Sequence, residues 1–182
     1  MDTPILVVCT GNLHRSPLLE AILRSNRFTS VSSAGLASPG GSVPLLMRQA
    51  ALEVGIDLAS HESRQISDID TKRAAIVICM QRDHIARLSV MDPTSFRKTL
   101  MLREAVHLLR QNPPRRGMTL ERWLHVSLEG RSASDVLRSP EDCETPDPIG
   151  GTMEDFRACV SDIRAYAEPL ALGLSALVSR ND

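Results

Sequence analysis

Ile5-Leu6-Val7-Val8-Cys9-Thr10-Gly11-Asn12-Leu13-His14-Arg15-Ser16-Pro17 is the stretch on which the reading of this chain turns. It opens with a short apolar run, the pattern of a strand buried on both faces of a parallel sheet. From Ser16-Pro17 onward the sequence reads as a helix, with Pro tolerated in its first turn. Between the two, Gly11 and Asn12 accept left-handed backbone angles, which let successive N–H groups turn inward. The turn closes on Arg15 at the helix N-terminus. Amides, helix dipole and guanidinium then converge on one point suited to a tetrahedral oxyanion, with the Cys9 thiol beneath it.

A cysteine at the end of a buried strand is, taken alone, more often inert packing. The loop and Arg15 change that reading, because N–H donors, a helix N-terminus and a cation all favour a nucleophilic thiolate. Ser16 can donate its hydroxyl to the sulfur. The planar fork of Arg15 matches two phosphate oxygens, which a lysine cannot do. Thr10, Gly11, Asn12, Leu13, His14, Arg15 and Ser16 are therefore the expected phosphate-binding loop. A second stretch, Thr145-Pro146-Asp147-Pro148-Ile149-Gly150-Gly151, reads either as a plain turn or as a rigid holder for a carboxyl group. Cleaving a phosphoester needs a proton for the leaving oxygen and then a base for water, and Asp147 can supply both in turn.

Outward from the loop, strands are expected at Phe28–Ser33, at Ala75–Met80 and, more weakly, at Thr99–Leu102. Helices are expected from Ser42 as cap through Val54, near Asp83–Leu88, over Arg103–Arg110 and over Thr119–Leu128. Residues 36–42 and 129–146 read as irregular. Thr152-Met153-Glu154-Asp155 opens a last helix in capping-box form, with Pro169 expected to kink or divide it. Alternating strands and helices imply a doubly wound α/β domain with a parallel sheet covered on both faces. Ligands in such folds bind beyond the carboxyl ends of the strands, where the Cys9 loop lies.

Bulk properties narrow the classes. The chain has 182 residues, 42% hydrophobic and 24% charged, which fits a single domain spanning 1–182. A net charge of −1 and 3% aromatics give little basis for a nucleic-acid partner. No apolar run has the length of a membrane span, and the N-terminus lacks a basic leader, so a cytoplasmic protein without a membrane partner is expected. The cysteines at 9, 79, 143 and 159 show no paired or metal-like spacing, so reduced thiols and no metal or other cofactor are expected.

The loop from Val8 to Pro17, together with Ser33-Ala34-Gly35, Gly55-Ile56-Asp57-Leu58, His61, Ser63-Arg64, Ile76–Met80 and Asp147-Pro148, resembles the low-molecular-weight protein tyrosine phosphatase family. The resemblance covers roughly residues 4–102 and 145–178. It implies a four-stranded parallel sheet in flavodoxin-like order with helices on both faces. It implies that Cys9 attacks phosphorus and forms a phosphocysteine. Arg15 and the loop amides would hold the equatorial oxygens. Asp147 would act as general acid and then base, Asn12 would hold the loop shape and Ser16 would steady the thiolate. The substrate would be a phosphorylated protein or a small phosphoester.

Several positions depart from the family. His14 stands where many members carry a second cysteine that protects the nucleophile, and an exposed loop histidine is its plainer reading. Ile149 replaces the usual aromatic beside Asp147, which weakens a tyrosine-gripping wall. Leu13 stands where bacterial arginine phosphatases carry threonine, which favours phosphotyrosine or another ester over phosphoarginine. Residues 103–144 read as a helical insertion before the Asp-Pro loop. Its Trp123 either packs on the body or, with Ile149, forms a substrate rim as part of a lid. The alternatives carried forward are a thiol-dependent arsenate reductase or transferase, and a phosphate-binding module without turnover.

Overall fold

The computed structural model describes residues 3–37, 40–138 and 141–178. Four strands, β1 (Ile5–Cys9), β2 (Val31–Gly35), β3 (Ile76–Cys79) and β4 (Thr99–Met101), form one sheet in the order β2-β1-β3-β4. Every pairing is parallel. The flavodoxin-like order expected from the resemblance is therefore present. β1 is central, with β2 on one side and β3 on the other. The connection from β1 runs to β2 on one side and that from β3 runs to β4 on the other, so the loops leaving β1 and β3 diverge and open a crevice at the carboxyl edge.

The pleat of β1 separates two cores. Ile5, Val7 and Cys9 face the layer built by α1 (Arg15–Ser25), α2 (Leu45–Leu52), α5 (Leu102–Gln111), α6 (Leu120–Ser127) and α8 (Met153–Val178). Leu6 and Val8 face α4 (Arg82–Met91), the short helix α7 (Ala133–Leu137) and Ile66 and Ala74, which flank the short helix α3 (Asp68–Arg73). α8 packs against α1, α2 and α5 and ties that layer together. Among the described residues no helix is long and apolar enough to cross a membrane.

Several expectations from sequence are corrected. The second strand begins at Val31 rather than Phe28, because Arg27 takes a positive φ of 69° and turns the chain out of α1. Phe28 is instead a buried core residue between that turn and the strand. Ser42 does not cap α2: it forms a bridge with Glu62, and Pro44 occupies the cap position. The 129–146 stretch is not wholly irregular, since it contains α7 and a 3-10 turn at Glu141–Cys143. Reciprocal bonds between Ser132 and Asp135 start α7, a signal present in the sequence. α3 was not anticipated and begins with the same device, at Ser67 and Asp70. Positions 38 and 39 of the 36–42 loop, and 139 and 140 of the 129–146 stretch, lie outside the described residues.

α8 runs unbroken through Pro169 for 26 residues. Proline costs a helix interior about 3 kcal/mol. The face formed by Phe156, Val160, Ile163, Ala167, Leu170, Leu174 and Leu177 is buried along the whole length, and that packing outweighs the lost bond. Its capping box is as expected, with Thr152 and Asp155 exchanging bonds.

Candidate active site

Cys9 ends β1 and Arg15 begins α1, so the loop between them spans the strand-to-helix turn. Asn12 holds its shape. Its φ is +55°, in the left-handed region that asparagine tolerates. It is fully buried, and each of its polar groups is engaged. Its side-chain amide donates to Ser16 Oγ at 3.0 Å and to Ser33 Oγ at 2.8 Å. Its Oδ1 accepts from the Arg64 amide at 3.0 Å, and its carbonyl meets His61 Nε2 at 3.1 Å. Its own N–H donates to Cys9 Sγ at 3.2 Å, and Ser16 Oγ stands 3.0 Å from the same sulfur.

Gly35, at the end of β2, lies directly against this loop. A Cβ there would stand 2.9 Å from the Gly11 carbonyl carbon and from the Thr10 oxygen. On the other side, His84 of α4 fixes Thr10. The Met80 amide donates to His84 Nδ1 at 3.3 Å, which leaves Nε2 to carry the proton toward Thr10 Oγ1, 3.1 Å away. Burial, then Arg15 and Arg87, push the imidazole down to about 3, so this histidine is neutral.

Arg15 is wholly buried. One terminal nitrogen donates to Gln81 Oε1 at 3.0 Å and to the Thr145 carbonyl at 2.9 Å, and the other pairs with Asp147 Oδ2. Its Nε has no hydrogen-bond partner among the described residues. Buried guanidinium donors are normally satisfied, so an unpaired one beside the loop points to an anionic acceptor.

Thr145 brings the Asp-Pro loop to this place. Its amide donates to the Met80 carbonyl at 2.8 Å, just beyond β3. Arg82, at the start of α4, holds the preceding residue through an ion pair of 2.6 Å with Glu144. Beyond Asp147, a turn closes from the Gly151 amide to the Pro148 carbonyl, with Gly150 at φ +74°. Asp147 is half-buried, with Oδ1 3.3 Å from His14 Nδ1 and 3.3 Å from the Ile149 amide. Burial raises its carboxyl, but the bond to His14 and the charge of Arg15 overcome this and leave it below its ordinary value.

The structure thus gathers Cys9, the loop, Arg15 and Asp147. It corrects two neighbours. His14 is not an exposed loop residue: it is only 6% exposed, facing Asp147 and the edge of the Phe156 ring. Trp123 does not lie at the rim. It is 1% exposed, and its indole donates to the Asn112 carbonyl at 2.8 Å. Its helix α6 lines a groove with Pro4, Ala74 and Lys98, at the amino ends of the strands and so at the sheet edge opposite Cys9. Ile149 is 72% exposed beside Asp147. Gln81, Thr145, Ser33 and His84 support the site through contacts that no local pattern announces.

An anion cradle set over a nucleophilic thiol at a sheet's switch point is the architecture of a cysteine-dependent phosphatase. Comparison with known proteins agrees. The chain belongs to the low molecular weight phosphotyrosine protein phosphatase family, whose model matches residues 4–113. It is 29% identical over 179 residues to the low molecular weight protein-tyrosine-phosphatase Wzb of Escherichia coli K12, covering 97% of this chain and 98% of that one. It is 26% identical over 174 residues to a protein-arginine-phosphatase of Geobacillus stearothermophilus, covering 94% and 95%. The crystal structure of the tyrosine phosphatase AmsI of Erwinia amylovora shares the fold with a TM-score of 0.73 at 22% identity, covering 96% and 95%.

Proposed function

We propose that this enzyme hydrolyses aryl phosphomonoesters, phosphotyrosine in proteins foremost, through a phosphocysteine on Cys9. The unpaired, buried Nε of Arg15 carries this reading, because it offers a donor where a phosphoryl oxygen belongs. Cys9 Sγ attacks phosphorus from below, held in place by the Asn12 N–H and by Ser16 Oγ. Arg15 and the loop amides hold the equatorial oxygens as charge spreads. Asp147 protonates the departing oxygen, then removes a proton from the water that cleaves the S–P bond. The phosphoryl group draws Arg15 away from Asp147 and adds negative charge nearby. Both changes raise the carboxyl toward its protonated form when that form is needed.

Relatives include both tyrosine and arginine phosphatases. The partly exposed Leu13 and the exposed Ile149 present apolar surface at the loop, which supports an aryl ester substrate. The test is hydrolysis of an aryl phosphate by wild type, Cys9→Ser and Asp147→Asn, followed by phosphotyrosine and phosphoarginine peptides. Cys9→Ser is expected to abolish turnover, and Asp147→Asn to slow it by about 10²–10⁴-fold. Turnover by Cys9→Ser at the wild-type rate would overturn the proposal, as would a preference for phosphoarginine over phosphotyrosine.

A further inference from the structure

Asp147 is held by both oxygens, and the two holds differ in kind. Oδ2 pairs with Arg15, which substrate must recruit. Oδ1 faces His14 Nδ1 at 3.3 Å and the Ile149 amide at 3.3 Å, neither of which substrate displaces. His14 is fixed independently of Asp147. It is buried, its ring meets Phe156 of α8 at 5.5 Å and 69°, and its backbone forms the cap of α1.

We propose that His14 is the positioning residue for the general acid: it keeps hold of Oδ1 throughout the cycle, so that Oδ2 is the oxygen that delivers the proton. The inference rests on the role assigned to Asp147 above. As the Cys9 S–P bond forms and the ester P–O bond breaks, the proton on Oδ2 passes to the departing oxygen. Oδ1 meanwhile keeps its bond from the His14 N–H. The charged and titratable groups around this pair are Arg15 of α1, Cys9 of β1, His84 of α4 and Cys159 of α8. Of these only Arg15 contacts the carboxylate, and it is the one that substrate engages. A cysteine thiol is a weak donor, and an aliphatic side chain is none, so neither could fill this role.

The test measures kcat/KM for a series of aryl phosphates whose leaving phenols run from strongly to weakly acidic. Weakly acidic phenols depend on the acid; strongly acidic ones do not. His14→Leu keeps bulk against Phe156 and removes the donor, with His14→Ala as substitute if the leucine variant does not fold. His14→Asn places an amide N–H near the position of Nδ1. The donor-free variant is expected to lose about 10- to 100-fold on phenyl phosphate and less than about 3-fold on the dinitrophenyl ester. His14→Asn should recover phenyl phosphate to within about 5-fold, and the donor-free loss on phenyl phosphate should exceed any loss of vanadate affinity. A loss of equal size across the series, or one that tracks weakened vanadate binding, means that His14 only shapes the loop and overturns the inference. Full activity on phenyl phosphate also overturns it. Asp147→Asn is run beside these. If it shows no leaving-group dependence, the role of Asp147 itself fails. If it does and the His14 variants do not, only the present inference fails.

Discussion

Gly35 and Gly11 lie so close that a Cβ on the first would stand 2.9 Å from the carbonyl carbon of the second. The end of β2 is thus a floor against which the phosphate loop is pressed. Because the neighbour is backbone, nothing can rotate away. Gly35→Ala is expected to cost about 1–3 kcal/mol of stability and to lower kcat/KM by about 10²-fold through displacement of the loop. Thermal unfolding and aryl phosphate kinetics on the folded variant check both parts.

Arg15 makes three bonds with two terminal nitrogens, to Gln81, Thr145 and Asp147. A lysine has one nitrogen and cannot reach all three while also facing a phosphoryl group. Arg15→Lys should lower kcat/KM by about 10³-fold and destabilise the fold by about 2–4 kcal/mol, since it unpairs buried partners. Wild-type vanadate affinity in this variant would contradict the expectation.

His84 is neutral in the folded protein, pushed down to about 3, whereas an unfolded histidine titrates near 6.5. Between those values the unfolded chain binds more protons, so stability rises with pH across that window and is lost as pH falls through it. The slope from this one group is at most about 1.4 kcal/mol per pH unit. His84→Asn retains an acceptor for the Met80 amide and cannot be protonated. Urea midpoints against pH should therefore be flatter for the variant between pH 3 and 6.5.

Trp123 is buried beneath α6, at the sheet edge away from Cys9. Trp123→Phe removes the donor to the Asn112 carbonyl and part of the packing, at a cost of about 1–3 kcal/mol. Aryl phosphate turnover by the folded fraction should stay within about 2-fold of wild type. A larger change would revive the idea of a lid.

What the sequence reveals and what it hides follow from the range of the interactions. β1, the loop and the start of α1 are contiguous, so apolar run, Gly-Asn turn, Arg15 and Pro17 could be read together. Asp147 was legible as a candidate acid that local sequence alone does not separate from a plain turn residue, because its place beside Arg15 depends on Thr145 bonding to Met80. The burial of His14 depends on Phe156, which arrives on α8. Trp123 looked available for a rim because nothing local says at which edge of the sheet α6 will pack. Pro169 misled because a propensity of about 3 kcal/mol competes with burial along an entire helix face.

The bond from Arg15 to the Thr145 carbonyl joins residues 130 apart in the chain. During synthesis, a ribosome therefore releases Cys9 and Arg15 long before Thr145 and Asp147 exist. Because α8 packs on α1, α2 and α5, the cradle itself takes its final form only once that last helix has docked.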